Sequence, residues 1–430
     1  MGSSKKSKLF FLYYGDVTEG IFDSQVHYHL EMIAQKGIDC TLLTLLPVKL
    51  LFTHFIPSIR KLQKVRRHGI GIILLPILNP LRLQGLVLSF FYAYLFSLVI
   101  RVYNSIPINI ILHTRGIYGG YFAQEIKRFG GKFKLIFDMR AEEVSELLFR
   151  LERYKINNSI ARRMMESTRE MQGIALRRAN VWLMVSHKLR SYVQEHLGLH
   201  NPQTFIIPSL ARSDIFKYDP VRRNCMRRRL RLHDKLVLGY SGSVSPWQKV
   251  DKVLDILNGI RSRGLDAVLL LLTHDTEKAS RLVEQKGCTA STRIMSCDYR
   301  KLGDHIMCFD MGFLLRERLM LNQVASPTKF AEYMLCGVPV IVSAGIGDLE
   351  DIVRSKKVGL LVHNLSDDAE ITHVVDQFLR SRFDREAISR FGQTFFARES
   401  YLPLYEKLYS GDRMPSSGVE ETIEAAPMGH

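Results

Sequence analysis

Short unbroken apolar runs along this chain alternate with longer stretches in which apolar positions return every third or fourth residue. The first kind of pattern predicts buried strands, the second amphipathic helices. KLFFLYYG (8–15) reads as a strand ending in Gly15, FDSQVHYHLEMIAQKG (22–37) as a helix stopped by Gly37, and DCTLLTLL (39–46) as the next strand. NIILHTRGIYGG (109–120) is strand then glycine loop, followed by the helix YFAQEIKRFGG. KLIFDMRAEE (134–143) is strand then polar loop. NVWLMVSHKLRSYVQEH (180–196) and TFIIPSL (204–210) complete a first series.

The periodicity stops over PSLARSDIFKYDPVRRN (208–224), which reads as a linker, and a second series follows. Its strands are KLVLGYSG (235–242), AVLLLLTH (267–274), TRIMSC (292–297), MGFLLR (311–316), VPVIVS (338–343) and VGLLVH (358–363). Strands alternating with helices form parallel sheets covered on both faces. The fold class is therefore α/β: two tandem doubly wound, Rossmann-like domains facing a cleft, with ligands at the carboxyl ends of the strands. The expected domains are 1–215 and 216–384. A helix over 385–410 is expected to pack back on the first domain, and the Ser-, Gly-, Pro- and Glu-rich tail 411–430 to be disordered.

Composition adds a partner class. The chain has 430 residues and a formal net charge of +17, a surplus that attracts anions. From Cys40 to Gln124 there is no Asp or Glu. That span holds the basic stretch PSIRKLQKVRRHG (57–69) and the uncharged LQGLVLSFFYAYLFSLVI between Arg82 and Arg101. A basic segment beside an apolar helix is how a protein grips an anionic leaflet, so the segment at about 50–105 is expected to face a membrane. The alternative is a solvated loop before an ordinary core helix. The run RRNCMRRRLRLH (222–233) reads as a solvated helix face. No nucleic-acid module appears, so nucleic acid is not expected as a partner. The six scattered cysteines lack metal-ligand spacing, so a cytoplasmic protein with reduced thiols and no metal is expected.

SPTKFAEYMLCGVPVIVS (326–343) carries the most chemistry. Thr328 and Lys329 precede a helix expected near Phe330, and Glu332 is expected in its first turn, favoured there by the helix dipole. A carboxylate at that helix mouth can accept both hydroxyls of a ribose, and Lys329 can meet a phosphate. GYSGSVSPWQKVDKVLDIL (239–257) is strand, small-residue loop and helix; Gly242, Ser243 and Lys249 are its candidates for a phosphate, although GxxxxGK[ST] is absent.

KFAEYMLCGVPVIVS, with GDLEDIV and VGLLV after it, resembles the nucleotide-sugar-binding domain of family 4 glycosyltransferases of the GT-B fold. NVWLMVSHKL and IIPSLARSDIF resemble that family's strand–Ser–helix and interdomain segments. The resemblance runs from Lys8 to about Tyr409 and follows a bacterial branch that builds surface polysaccharides. It implies transfer of a sugar from a nucleotide-diphosphate sugar, with retention, without a metal or other cofactor, to a lipid-linked or growing saccharide bound by the N-terminal domain. The expected location is the cytoplasm, at the inner face of the cell membrane.

Of the family's two glutamates eight apart, Glu332 matches the second, which holds the ribose, and the first falls on Val324. The family's phosphate-loop Arg and Lys fall on Ser243 and Gln248. Arg316, ending MGFLLR, and Lys329 are the expected replacements, two cations for a diphosphate leaving group. In the first domain the resemblance points to the loop GDVTEGIFDSQ, with Gly20, Asp23 and Ser24, and to the strand ends carrying His113, Arg115, Asp138, Arg140 and Glu142. Two other readings stay open: a nucleotide-sugar epimerase of the same fold, and a non-catalytic nucleotide-sugar-binding membrane scaffold.

Overall fold

The computed structural model describes residues 6–78, 83–153 and 159–410; the tail 411–430 expected to be disordered lies outside the described residues. The chain divides into two units. One holds the described residues up to Ile207 together with those from Tyr401 onward; the other is Pro208–Ser400.

The first unit is built on seven parallel strands: β1 (Ser7–Tyr14), β2 (Asp39–Pro47), β3 (Gly71–Ile77), β4 (Asn109–Arg115), β5 (Lys134–Met139), β6 (Val181–Met184) and β7 (Thr204–Ile206). Their order is β3-β2-β1-β4-β5-β6-β7. Chain order reverses between β1 and β4, which puts a crevice at their carboxyl ends. Leu9, Phe11, Leu43, Ile111 and Ile136 have no more than 1% of their surface exposed, as expected of strands covered on both faces. β3 escaped the sequence pattern. It carries Pro76, which has no N–H to donate, and it lies at the sheet edge where that donor is not needed.

The second unit has six parallel strands: β8 (Leu236–Ser241), β9 (Ala267–Leu272), β10 (Thr292–Met295), β11 (Met311–Leu314), β12 (Val340–Ser343) and β13 (Gly359–Val362). Their order is β10-β9-β8-β11-β12-β13. Its boundary falls eight residues before the expected one, and hydrogen bonds explain why. Ser209 N–H donates to Ser326 Oγ (2.9 Å), Ala211 N–H to Phe396 O (2.9 Å) and Arg398 N–H to Ala211 O (3.1 Å). The stretch 208–216 is thereby stitched into the second unit, with Phe216 fully buried there.

The single helix expected over 385–410 is two. Arg385–Phe396 packs on the Thr328–Leu335 helix within the second unit, while Leu402–Tyr409 belongs to the first. Gly392 makes the first contact possible, since a Cβ there would stand 2.5 Å from the Met334 carbonyl carbon. The basic run 222–233 is not a solvated face throughout. In the Pro220–Arg229 helix, Arg223 and Arg227 pair with Asp310, Arg222 pairs with Asp304, and Arg227 is buried.

The apolar segment forms the Leu83–Asn104 helix, long and apolar enough by length and composition to cross a membrane. Ser89, Ala93, Phe96, Ser97 and Ile100 are buried along one face, with Phe96 edge-on to Phe10 of β1 and Ser89 bonded to Tyr118. Val87, Phe91, Leu95, Leu98 and Val102 are exposed on the other. The Phe55–Arg66 helix is similar in kind. It buries Ser58, Leu62 and Val65 and exposes Arg60, Lys64 and Arg66, with Phe52, Phe55 and Ile56 exposed at its start.

Candidate functional site

In the second unit the chemistry gathers where adjacent strands β8, β11 and β12 end. β8 runs into the loop Gly242–Lys249. Gly242 N–H bonds Leu272 O (2.9 Å), Tyr240 Oη donates to Ser243 O (2.7 Å), and Asp275 Oδ2 accepts from Val244 N–H (3.1 Å). The loop closes on a 3₁₀ turn, Pro246–Gln248, and Lys249 in left-handed conformation leads into the Val250–Ser262 helix. Arg316 follows β11, its backbone latched to Ser343 of β12: Arg316 N–H donates to Ser343 Oγ (2.9 Å), which donates to Arg316 O (3.1 Å).

The Thr328–Leu335 helix starts two residues earlier than the sequence suggests, behind Pro327. Every residue from Lys329 to Leu335 is buried. Lys329 and Glu332, one turn apart, are therefore core residues, and Glu332 is not a first-turn carboxylate facing the helix mouth. It is 7% exposed, and burial pushes its carboxyl up to about 8, the nearby Lys329 lowering it less. Lys329 Nζ donates to Tyr240 Oη and to Gln248 Oε1, each at 3.0 Å, and sits 4.1 Å from the centre of the Tyr240 ring. Burial, then the Arg316 charge, holds its pKa well below the ordinary 10.5. Arg316 lies over the Trp247 ring at 4.9 Å and donates to Asn322 Oδ1 (3.2 Å); burial lowers its pKa to about 10.

Both cations thus converge on one loop. Among the described residues, neither has a carboxylate within ion-pair distance, and Arg316 Nε is buried without a hydrogen-bond partner. Buried charges are normally paired, so these two side chains make a buried region of positive potential. Gly242 has φ +132°, and a Cβ there would stand 3.0 Å from Lys329 Nζ, so glycine keeps the lysine in the loop. Thr328 opens the helix and is half-buried, and Ser243 is exposed, its Oγ 3.4 Å from Ser245 Oγ. Lys249 is ion-paired with Glu317, so the charge offered as a phosphate ligand is already neutralised.

In the first unit Arg115, Asp138, Arg140 and His113 do come together at the ends of β4 and β5. Asp138 is buried between Arg115 Nη1 (3.2 Å) and Arg140 Nη1 (3.3 Å). Burial alone would raise its pKa, but the charges of Arg140 and Arg115 and the His113 contact outweigh it and hold the carboxyl far below its usual range. A carboxylate so locked is a strut, not a base. His113, expected near the sugar, is 1% exposed; its Nδ1 lies 2.6 Å from Tyr409 Oη, which also meets His29 Nε2 at 2.9 Å. Burial lowers its pKa and keeps the ring neutral. Glu142 caps the next helix, accepting Ser145 N–H at 2.6 Å.

Its neighbour Glu143, which the sequence did not single out, accepts Ile117 N–H (2.9 Å) where the Ile117–Arg128 helix begins; burial pushes it up to about 7. Nothing in the local pattern separates two adjacent glutamates; their different partners do. Gly20 stands exposed with open space around its Cβ position. Asp23 pairs with Lys61, and Ser24 Oγ bonds Gly20 O (3.2 Å).

The segment that contains the loop, Arg316, Lys329 and Glu332 matches a known family model, described as glycosyl transferases group 1, over residues 222–395. Those residues are similar to group 1 glycosyl transferases. No curated protein matches the chain in sequence. Among solved structures, sucrose-phosphate synthase from Thermosynechococcus elongatus is 16% identical with a TM-score of 0.67, covering 95% of this chain and 100% of its own. Anabaena HepE in complex with UDP-glucose is 13% identical with a TM-score of 0.65, covering 94% and 99%. WaaG, a glycosyltransferase involved in lipopolysaccharide biosynthesis, is 13% identical with a TM-score of 0.60, covering 94% and 100%. At these identities the likeness establishes the fold, the α/β architecture of GT-B glycosyltransferases.

Within residues 222–395, the two positions where the resemblance places a loop Arg and Lys hold Ser243 and Gln248, yet positive charge still meets the loop. Gln248 Oε1 holds the ammonium of Lys329, and Trp247 stacks under the guanidinium of Arg316. The charges come from neighbouring elements instead of from the loop.

Proposed function

We propose that this chain is a retaining glycosyltransferase of family 4. It moves a sugar from a nucleotide-diphosphate sugar to a lipid-linked or growing saccharide at the cytoplasmic face of a membrane, in the building of a cell-surface polysaccharide. The observation that carries this reading is the buried pair Arg316 and Lys329, aimed at the Gly242–Lys249 loop without a bound carboxylate. A diphosphate is the counter-ion such a pair fits. Negative charge grows on it as the glycosidic bond breaks, and fixed cations stabilise that charge most in the transition state. In this reading the two side chains supply the positive charge, and Glu332 accepts the ribose hydroxyls once a nucleotide is seated.

UDP is the first ligand to try, because HepE is seen with UDP-glucose. In a thermal-shift panel of UDP, GDP and ADP, one nucleotide at 100 times its Kd should stabilise the fold by about 2.7 kcal/mol. A flat response to all three would overturn the reading. Release of free nucleotide from the matching nucleotide sugar then separates an enzyme from a scaffold.

The membrane part of the proposal rests on the exposed face of the Leu83–Asn104 helix and on the basic Phe55–Arg66 helix. The first buries one whole face against β1 and its neighbours, so it suits lying in an interface better than spanning it. The protein is expected to sediment with vesicles containing phosphatidylglycerol at low salt. Replacing Arg60 and Lys64 by Ala should weaken this about 30-fold, at roughly 1 kcal/mol per basic residue. Equal binding to neutral vesicles, or none to either, would remove the anionic-surface role.

A further inference from the structure

Three side chains of the first unit that sugar transfer does not use meet in one place. His27 ends the π-helical turn Asp23–His27, and Glu31 follows one turn later on the Tyr28–Gln35 helix, so both project from one face. His68 arrives from the turn after the Phe55–Arg66 helix. One ligand atom from each lies within 4.8 Å of the other two. His68 Nδ1 and Glu31 Oε1 are 3.4 Å apart. A tetrahedral ion with bonds of about 2.0–2.1 Å has ligand atoms about 3.3 Å apart, so this pair already has coordination spacing. The His27 ligand atom lies within 4.8 Å of both, so only a small closure completes the triangle.

The surroundings of His27 point the same way. Its Nδ1 faces Asp23 Oδ1 at 3.5 Å, and Asp23 is anchored from behind by Lys61. Its Nε2 is buried and has no hydrogen-bond partner. With the proton on Nδ1 held by the carboxylate, the Nε2 lone pair is directed inward. That is how a carboxylate commonly orients a ligating histidine.

We propose that His27, Glu31 and His68 bind Zn²⁺. Two imidazoles and a carboxylate form a donor set suited to that ion, and the exposed side of His68 leaves room for water as fourth ligand. The bound ion clamps the basic Phe55–Arg66 helix to the helix that follows the 15–20 loop. The site is new to this chain, whose sequence suggested no metal, because His68 lies far from the His27–Glu31 pair in sequence.

The test uses the full chain, stripped with EDTA and titrated with Zn²⁺ against a chromogenic chelator, beside Glu31→Gln and His68→Ala. His68 is exposed, so its loss leaves the fold intact, as circular dichroism would verify. One tight equivalent is expected in the wild type, weakened at least about 100-fold in each variant. Co²⁺ in place of Zn²⁺ should give visible d–d bands that both variants lack. Absence of tight binding by the wild type would mean that Glu31 and His68 form only an ion pair and would overturn the proposal. So would unchanged stoichiometry and affinity in both variants, which would place the ion elsewhere.

Discussion

Lys329→Met is expected to leave the ligand-free protein at least as stable as the wild type while removing its response to a nucleoside diphosphate. Two costs decide the first half. The methionine leaves Tyr240 Oη and Gln248 Oε1 without the ammonium that each now bonds at 3.0 Å, about 1–3 kcal/mol for each unsatisfied group. Tyr240 Oη keeps its bond to Ser243 O, which leaves the amide of Gln248 as the main loss. Against that stands the cost of keeping the Lys329 amine in the core, either charged and desolvated or stripped of a proton it holds in water, so the substitution is favourable on balance.

The folded-state pKa of Lys329 is depressed, so between that value and 10.5 the unfolded chain binds the proton that the folded chain has lost. Wild-type stability therefore rises with pH across this window, and Lys329→Met should flatten the slope. Turnover should fall about 10²–10³-fold, the usual cost of losing one fixed donor to a developing negative charge. Arg316→Ala should lose activity on the same scale, since Arg316, lowered only to about 10, is charged at neutral pH. Denaturant melts from pH 6 to 10 and donor turnover check both halves. Unchanged turnover in either variant would remove that side chain from the chemistry.

Glu332→Gln is the second large effect. The folded-state carboxyl titrates at about 8 against an ordinary 4.5. Between those values the folded chain holds a proton that the unfolded chain has released, so stability falls as pH rises through the window. The loss is about 3–5 kcal/mol by pH 8. Glutamine cannot ionise, so the variant should match the wild type near pH 4.5 and exceed it increasingly toward pH 8. Nucleotide affinity should move the other way. Above pH 8, where the wild-type carboxyl is ionised, an amide offers one acceptor where the carboxylate offers two, and losing one ribose hydrogen bond weakens binding about tenfold. A variant that gains stability at pH 8 and keeps full nucleotide affinity would make Glu332 a core residue with no part in binding.

Both doubly wound units were legible in the alternation of apolar runs and amphipathic stretches, because strands covered on both faces leave little else in sequence. β3 was not, since Pro76 breaks the strand pattern and only its place at the sheet edge makes the proline harmless. Arg316 and Lys329 could be proposed from their positions at a strand end and a helix start. Their burial could not, because it depends on Tyr240 of β8 and on Trp247 and Gln248 of the loop that follows it. Lys249 and Asp138 show the converse. Each looks available in sequence, and each is held by a charge the pattern does not link to it, Glu317 far along the chain for the first and Arg115 on the neighbouring strand, with Arg140 two residues on, for the second. His113 sits at the predicted strand end but turns into the core toward Tyr409, whose chain position gives no hint of the contact.

The proposed function requires a diphosphate to complete the buried pair Arg316 and Lys329. Calorimetric titration of the stabilising nucleoside diphosphate into the wild type and into a folded Arg316→Ala, Lys329→Met double variant decides this. An affinity at least about 100-fold weaker is expected in the double variant, with a wild-type affinity that declines as pH rises and Lys329 loses its proton. Equal affinity in the two proteins would contradict it.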